Sequence, residues 1–587
     1  MRPMNMKNAT LKTQLLLALM VAVTLLLTPA AFAAAPGISA GTGTSVTFSL
    51  TAADAYLNQP DGEAVYSWGY GCASGFSPTF LPGAIPAPTG GCPTMQVPGP
   101  TLIVTEGQTV TVTLLNGLPT AAGNTSILFP GFNLSTTSCS PTSPPAGVQQ
   151  GLLTCEAAPG GTVSYTFTAS APGTHAYYSG TQGDLQIEMG LYGAIIVLPA
   201  SVPASCNSTL TNLYGKGDYG TSTGIPGFPE SDFRLVNATG GKGAAYDHPK
   251  SCYDREYLFQ WAEMDSRIHR QALAQVQAKA NCAAGSSGCS LDVQTEPYHP
   301  SYFLINGRSM PDLMDPNYAG EYPHQPYNGN PHMHPGEQTL VRTIGQGRWQ
   351  HPFHEHANHV RILARDGNLI LSPTNPANNL AGVLMFNTDT TPGEAFDGIF
   401  YFTGRGLNWD PYGHHPGPDV NTSPGSTGAP ANDPLAHLPC TPDANGYNTG
   451  TPAALNYYEW CQDHNKPVQV NPFGDVPAGG PATLPDPNVF TNGQWYGGTP
   501  YFGPDASLRA AMPTCVSTAG TGAATPGTGC TTLLPSNTQA NPANERGWAF
   551  MWHSHNEREI TTNNVFPGGM LMMMLVDSRE FAIDESQ

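Results

Sequence analysis

The chain of 587 residues carries 22 Lys and Arg against 42 Asp and Glu, which gives a formal net charge of −20. An acidic protein of this kind repels phosphate backbones, so its charge excludes nucleic-acid binding. Charged residues make up only 11% of the chain, whereas Gly and Pro number 66 and 57, and this balance favours strands and turns over helices.

The N-terminal segment predicts a secretory signal peptide over residues 1–33. Three basic residues precede an apolar run at 15–27, and Ala31-Phe32-Ala33 is a small-x-small cleavage site. The run is short for spanning a bilayer, and no later segment is long and apolar enough to span. We therefore expect an exported protein, periplasmic or extracellular, with no membrane span after cleavage.

Twelve cysteines fit an oxidising compartment. They fall in close pairs, which predicts six nearest-neighbour disulfides, although sequence alone does not fix their connectivity. The predicted pairs are Cys72/Cys92, Cys139/Cys155, Cys206/Cys252, Cys282/Cys289, Cys440/Cys461 and Cys515/Cys530. No C-x-x-C or Cys–His spacing indicates a zinc finger or a redox thiol pair.

Short alternating runs between Gly and Pro turn signals predict an all-β fold, beginning with a β-sandwich or barrel at residues 34–200. Residues 201–253 have the composition of a connector. A second set of β-runs follows over 254–587 and contains one predicted helix, Arg267–Ala283. The Gly-, Pro- and Asn-rich stretch 404–545 interrupts this set, and we interpret it as a disulfide-stapled insertion.

Two H-x-H motifs stand on separate β-runs of the second half of the chain. His354 and His356 form the first motif, and His553 and His555 form the second. Alternate residues of a strand share a face, so four imidazoles converge if the two strands pair. One such motif alone also fits a half-exposed strand without a ligand role. Two of them predict a metal site, because imidazole suits copper, zinc, nickel and iron.

Several passages around these motifs resemble the multicopper oxidase family, which is built from cupredoxin domains. They are PGPTLIVTEGQTVTVTLLNGLP (98–119), GTHAYYSGTQGDLQIEMGLYGAIIVLP (173–199), YFLINGRSMPD (302–312), HPFHEHANHVRILARDG (351–367), TTPGEAFDGIF (390–400) and WAFMWHSHNEREITTNNVFPGGMLMMMLV (548–576). The resemblance implies tandem cupredoxin-like Greek-key sandwiches, closest in layout to two-domain laccases and copper nitrite reductases. It also implies copper as the cofactor and oxidoreductase chemistry.

The first half of the chain departs from the family pattern. The two H-x-H motifs of the family's first domain fall here on Leu128 and Pro130 and on Tyr178 and Gly180. This half therefore supplies none of the expected copper ligands.

The second half keeps part of the pattern. The resemblance implies a blue-copper role for His351 and a cluster role for each of the two H-x-H motifs. The family's blue-copper cysteine falls on Ser554, and the histidine that follows it falls on Glu559. Met570 matches the axial position, but one histidine and one thioether do not make a blue-copper site.

We predict an exported copper-binding protein of multicopper-oxidase type whose remnant metal site has no blue copper, with zinc as the competing metal. The predicted metal ligands are His354, His356, His553, His555 and His351. One alternative is a non-catalytic, disulfide-braced scaffold. Another is an active oxidase with a rebuilt site that recruits further side chains, the candidates being His332, His334, His359, Glu355, Glu557 and Glu559. A small-molecule or metal-ion substrate and a homo-oligomer are both compatible with the sequence.

Overall fold

The computed structural model describes residues 35–83, 85, 87–135, 146–207, 243–333, 337–402, 441 and 547–577, and three short strands at 498–501, 514–517 and 530–534. The predicted signal peptide and most of the predicted connector and insertion lie outside these residues. No helix within the described ranges is long and apolar enough to cross a membrane.

The first β-sandwich is built from strands between residues 37 and 198. They are β1 (Gly37–Ser39), β2 (Ser45–Asn58), β3 (Ala64–Cys72), β4 (Thr79–Leu81), β5 (Leu102–Thr105), β6 (Thr109–Asn116), β7 (Val148–Gln150), β8 (Cys155–Ala157), β9 (Thr162–Thr168), β10 (Gly173–Tyr178) and β11 (Tyr192–Leu198). One sheet has the order β3-β2-β6-β9 and the other β10-β11-β5-β1-β4. Strand β6 shows why the pattern folds this way: Val110, Val112 and Leu114 are buried, and the threonines between them face outward.

The second β-sandwich is built from strands between residues 255 and 577, preceded by the short pair β12 and β13. The strands are β12 (Gly243–Ala244), β13 (Cys252–Tyr253), β14 (Arg255–Met264), β15 (Tyr302–Ile305), β16 (His332–Met333), β17 (Gln338–Gly345), β18 (His351–Glu355), β19 (Val360–Arg365), β20 (Asn368–Leu369), β21 (Leu384–Met385), β22 (Asn387–Thr390), β23 (Ala395–Tyr401), β24 (Gly498–Tyr501), β25 (Thr514–Ser517), β26 (Cys530–Leu534), β27 (Gly547–Ser554) and β28 (Leu571–Asp577). The inner sheet has the order β15-β14-β17-β23-β19-β20, and the outer sheet has the order β16-β28-β27-β18-β22.

Helices are few. The single turn α1 (Gly183–Gln186) precedes β11, and α2 (Ser266–Ala278) follows β14. The Asp265 side chain caps α2 by accepting a hydrogen bond of 2.9 Å from the backbone N–H of Arg267. Helix α2 ends five residues before the predicted Ala283, where turns lead into the loop closed by the Cys282–Cys289 disulfide. Its residues Ile268 and Ala272 are buried in the core of the first sandwich.

The two sandwiches stack as four layers of sheet. Leu258, Ile344 and Ala395 of the inner sheet of the second sandwich pack on Ile103 and Ala194 of the first. All ten residues of β14 are buried, as expected of a central strand covered on both faces. The outer sheet of the second sandwich is therefore the layer farthest from the first sandwich.

Buried polar groups cross the contact between the sandwiches. The Arg342 guanidinium donates to Glu256, and its Nη1 lies 2.8 Å from Thr174 Oγ1 on β10. Thr174 Oγ1 in turn donates to Asp397 at 2.6 Å, and Tyr246 donates to the same carboxylate. A buried charge is tolerated only when it is paired and hydrogen-bonded, so this network fixes how the two sandwiches dock.

The predicted all-β fold class is confirmed. Three of the predicted disulfides are present in the described residues: Cys72–Cys92, Cys206–Cys252 and Cys282–Cys289. Cys155 is also disulfide-bonded. The side chains of Cys139 and of the two pairs predicted in the insertion lie outside the described part of the chain.

Candidate metal centre

The outer sheet of the second sandwich sets the two H-x-H motifs side by side. Strand β18 runs antiparallel to β27, and their register places His354 directly opposite His553. Side chains that oppose each other in this way have Cβ atoms about 4.5–5.5 Å apart. His356 and His555 each lie two residues from this pair and share its face, because alternate side chains of a strand point the same way. That face looks away from both cores.

Ring distances show that these four imidazoles converge, and we call them the imidazole cluster. The ring centroid of His354 lies 4.9 Å from that of His356, 5.4 Å from that of His553 and 4.8 Å from that of His555. The Nε2 atoms of His356 and His553 are 3.1 Å apart. One ring nitrogen from each of His354, His356 and His553 lies within 4.8 Å of the other two.

Burial favours the neutral form of two rings of the cluster. His354 is 1% exposed and His356 is 8% exposed, whereas His555 is open to solvent. Burial, followed by the charges of His553 and His555, lowers the pKa of His354 to about 4. Burial also lowers the pKa of His553. At pH 7 these two rings are therefore uncharged and keep a lone pair, which is the form that binds metals.

Neighbouring groups orient the rings. Nδ1 of His553 lies 2.6 Å from the carbonyl oxygen of Ser554, so Nδ1–H donates there and Nε2 keeps its lone pair for the cluster. Trp552 donates its Nε1–H to the carbonyl oxygen of His356 at 3.1 Å. The ring of Phe386, which sequence reasoning did not single out, lies 5.7 Å from that of His354 and forms one wall of the cluster.

The donor set fits a transition-metal ion that prefers nitrogen. The 3.1 Å between Nε2 of His356 and Nε2 of His553 is the separation expected of two nitrogens that each bind one ion at about 2.0–2.1 Å. An all-imidazole set suits copper and zinc, and it disfavours calcium and magnesium, which take oxygen ligands.

His351 lies apart from the cluster, on the core face of the same strand. Its Nε2 is 2.8 Å from Oε2 of Glu263, and its Nδ1 is 2.9 Å from Oε2 of Glu559. Burial alone would lower the pKa of His351, but the hydrogen bonds and charges of Glu263 and Glu559 outweigh it and raise the pKa to about 9. At pH 7 the protonated ring is favoured, and the structure places His351 with these two carboxylates and not with the four cluster imidazoles.

Two of the other expected blue-copper positions, Ser554 and Glu559, belong to the same polar arrangement. Ser554 Oγ donates to Oε2 of Glu559, and Asn556 Nδ2 donates to its Oε1 at 2.8 Å. Met570 is fully buried in the core of the sandwich. We call His351 with Glu263, Glu559 and Ser554 the His351 clamp. It occupies the place where the family resemblance implied a blue copper.

The clamp continues toward the first sandwich. Oε1 of Glu263 lies 3.1 Å from the hydroxyl of Tyr298, which donates to Glu188 at 2.5 Å. Glu188 precedes β11, so one hydrogen-bonded chain joins the two sandwiches through the clamp. Sequence reasoning missed Glu263 and Tyr298. The available signal was a glutamate among the apolar residues Trp261, Ala262 and Met264 at the end of β14, since an unpaired charge is rarely buried.

The side chains proposed for a rebuilt site are scattered. His332 pairs with Leu575 at the far edge of the outer sheet. His359 is half-buried, and its ring lies 5.0 Å from that of Phe386. Glu355 is buried on the core face, where burial raises its pKa well above the usual range. Glu557 is exposed, Glu559 belongs to the clamp, and His334 lies outside the described residues.

The structure also brings together the first-sandwich positions that the resemblance aligned with missing histidines. The backbone N–H of Leu128 donates to the carbonyl oxygen of Tyr178 at 2.7 Å, so the two segments lie side by side. A Cβ added at Gly180 would come within 2.8 Å of the Leu128 side chain. Apolar and tyrosine side chains therefore fill the space, and the nearby His175 packs on Phe132.

Comparison with known proteins points to one family. Residues 94–201 match the multicopper oxidase family model. L-ascorbate oxidase of Brassica rapa subsp. pekinensis is 35% identical over 102 residues, which cover 17% of this chain and 16% of that protein. The chain thus matches about a sixth of the length of this curated relative. The predicted resemblance to multicopper oxidases is confirmed, and the matched residues lie in the first sandwich.

Solved structures of copper proteins are similar at low identity. The multicopper oxidase mgLAC is 18% identical, with a TM-score of 0.35, over 60% of this chain and 75% of that chain. The blue copper oxidase from Nitrosomonas europaea is 18% identical, with a TM-score of 0.34, over 60% and 75%. The copper nitrite reductase from the same organism is 19% identical, with a TM-score of 0.33, over 61% and 85%.

Proposed function

We propose, from the premise that this chain is a divergent relative of the multicopper oxidases, that it is an exported copper-binding oxidoreductase with one imidazole-ligated copper and no blue copper. The observation that carries the proposal is the imidazole cluster, in which three histidines offer nitrogens within 4.8 Å of one another. The fourth, His555, lies within ring contact of His354 and is open to solvent.

Copper fits this all-imidazole donor set better than zinc does. Cu(II) prefers tetragonal nitrogen ligation, and divalent copper binds a given nitrogen site more tightly than zinc does. Zinc is the competing ion, since it accepts imidazole ligands in a tetrahedral arrangement. A bound copper would supply a one-electron redox couple.

The side chains around such a copper centre determine how it is ligated and how a substrate reaches it. His553 presents Nε2 because its Nδ1 donates to a backbone carbonyl. His555 is the exposed member, so a small-molecule or metal-ion substrate reaches the centre on its side. The proposed centre has no blue copper for long-range electron entry, because Ser554 has no thiolate and both ring nitrogens of His351 are hydrogen-bonded to carboxylates.

The first test is the metal content of the purified mature protein, with its visible and EPR spectra. We expect about one Cu(II) per chain, with the EPR signal of a nitrogen-ligated ion, and no intense blue thiolate band, since no cysteine is free among the described residues. More than one equivalent of tightly bound Cu(II), or a blue band, would contradict the proposal.

The alternative is a non-catalytic scaffold. It is favoured by the first-sandwich segments, where apolar side chains fill the positions of the expected ligands. A scaffold should purify without metal and should fail to take up copper after loading. The same measurement of metal content therefore separates the two functions, and oxidase assays with phenols, Cu(I), Fe(II) or Mn(II) then test catalysis.

The pH dependence of binding follows from the buried ring of His354. Its pKa is lowered to about 4, so protons compete with copper for this ligand only near that pH. We expect copper to stay bound at pH 5.5 and to be released as the pH falls toward 4. Equilibrium dialysis between pH 7 and 3.5, followed by metal analysis, measures this. Release centred above pH 6.5, where an exposed imidazole titrates, would contradict it.

A further inference from the structure

The outer face of the sheet that carries the imidazole cluster also carries two methionines. Strands β27 and β28 pair antiparallel with Met551 directly opposite Met573. Across the other edge of β27, the backbone N–H of His356 donates to the carbonyl oxygen of Met551 at 3.2 Å. His356, Met551 and Met573 therefore form one row across three strands, and His553 lies two residues along from Met551 on the same face.

These two methionines differ from the others of the C-terminal run. Met570, Met572 and Met574 are fully buried in the core of the sandwich and fill it. Met551 is 36% exposed, and Met573 is partly exposed. The alternation of the strands therefore turns two thioethers toward the cluster side and away from the packed interior.

We propose that Met551 and Met573 form a second metal site, which takes a soft monovalent ion such as Cu(I). Opposed residues on antiparallel strands have Cβ atoms about 4.5–5.5 Å apart, so two flexible thioethers at these positions reach one ion. Thioether sulfur selects Cu(I), whereas imidazole also serves Cu(II). The inference rests on the proposed function in naming copper as the ion, and its geometry stands on the two methionines alone.

The placement gives the chain two neighbouring candidate metal sites, one with soft sulfur donors and one with harder nitrogen donors. Residues two apart in a strand are about 6.5–7 Å apart, so an ion on the thioether pair lies next to the imidazole of His553. The row also sets Met551 beside His356. A cuprous ion captured by sulfur is thus held beside nitrogens that prefer the cupric state.

Silver(I) is the probe, because it is a soft, redox-inert ion with the charge of Cu(I). The full mature chain is prepared with ¹³C-labelled methionine methyl groups and titrated with silver nitrate in chloride-free buffer. We expect the methyl signals of Met551 and Met573 to shift together up to one equivalent. Each signal is assigned from its Met→Leu variant. Methyl signals of Met551 and Met573 that do not move with silver would overturn the proposal.

Affinity provides the second readout. The double variant Met551→Leu/Met573→Leu is expected to bind Ag(I), and Cu(I) in anaerobic competition with a chelator, about tenfold or more weakly than the unchanged protein. Met314→Leu, at another partly buried methionine, is the matched control and should bind as the unchanged protein does. An unaltered affinity in the double variant would also overturn the proposal.

The two proposals fail separately. The Cu(II) EPR signal of Met551→Leu/Met573→Leu should stay unchanged, since no thioether belongs to the imidazole cluster. If the protein takes up no Cu(II) but silver still moves the two methyl signals, the proposed imidazole centre is wrong and the thioether site stands. If Cu(II) binds at the cluster and silver leaves both methyl groups unmoved, the thioether site is wrong and the proposed function stands.

Discussion

Replacing His354 and His553 together with alanine is expected to abolish stoichiometric Cu(II) binding, with a rise of about 100-fold or more in the dissociation constant. Loss of groups that merely orient a ligand weakens metal binding about 10–100-fold, so loss of two opposed ligands exceeds the upper end of that range. These residues face each other across β18 and β27. His555 and His356 are the neighbouring imidazoles, the first beside His354 and the second beside His553. Isothermal titration and EPR of the loaded protein measure the effect.

The matched control is His299→Ala, which removes an exposed imidazole and keeps the backbone N–H that donates to Asp265. It should bind copper as the unchanged protein does. The variant with all four cluster histidines changed to alanine completes the series. If stoichiometric binding persists in that variant, the copper site lies elsewhere and the cluster is misassigned.

Replacing His351 with glutamine is expected to lower the free energy of unfolding by about 3–5 kcal/mol at pH 7. Removing one partner of a buried ion pair leaves an uncompensated buried charge, which destabilises a protein by about that amount. Here the change leaves the carboxylates of Glu263 and Glu559 without the imidazolium between them, and all three side chains are at most 1% exposed. Denaturant unfolding followed by tryptophan fluorescence, which reports on Trp261 and Trp552 in the same core, measures the loss.

The same residue sets a pH dependence of stability. The pKa of His351 rises from its ordinary 6.5 to about 9 on folding. The folded state therefore holds its proton more tightly, so this contribution is complete below pH 6.5 and is lost as the pH rises through 9. The shift corresponds to about 3 kcal/mol. We expect stability to fall between pH 6.5 and 9 in the unchanged protein, and to fall much less in His351→Gln.

His299→Gln is the control for this experiment, because it changes an exposed histidine that is not a member of the clamp. Its stability should follow the pH as the unchanged protein does. An equal decline between pH 6.5 and 9 in His351→Gln would show that another group titrates there and that His351 is not the charged centre of the clamp.

Part of the candidate metal site could be predicted from the sequence, because alternation in a strand is a local property. The spacing of His354 and His356 places both rings on one face wherever the strand lies. The register that sets His354 opposite His553 is a tertiary property, and 199 residues separate the two positions along the chain. The histidine spacing therefore predicted two separate pairs of imidazoles, and the pairing of β18 with β27 brings the two pairs into one cluster.

The environment of His351 could not be predicted from its motif. The resemblance assigned the residue to a blue copper because of its position before Phe353 and His354. Its actual partners come from β14, which lies 88 residues earlier, and from a turn 208 residues later. The sequence around His351 does not predict that two carboxylates will flank it, and their presence favours the protonated ring over a free metal ligand.

The fold class was predictable for a different reason. Runs such as β6 alternate buried valines with outward threonines, and that pattern is read directly from the chain. The buried Arg342 network was not predictable, because charged side chains ordinarily belong to the surface. Glu256 and Asp397 reach Arg342 from the neighbouring strands of its own sheet, and Thr174 reaches it only when the two sandwiches dock.

The imidazole cluster lies on the outermost of the four sheet layers. The candidate metal ligands are therefore separate from the residues that pack the two sandwiches together. The packing that holds the molecule together lies in the inner sheets, where Leu258, Ile344 and Ile103 meet. Substitutions on the outer face therefore leave that packing intact, whatever ion the cluster holds. The first sandwich illustrates this independence, because apolar and tyrosine side chains stand at its expected ligand positions and both of its sheets are kept.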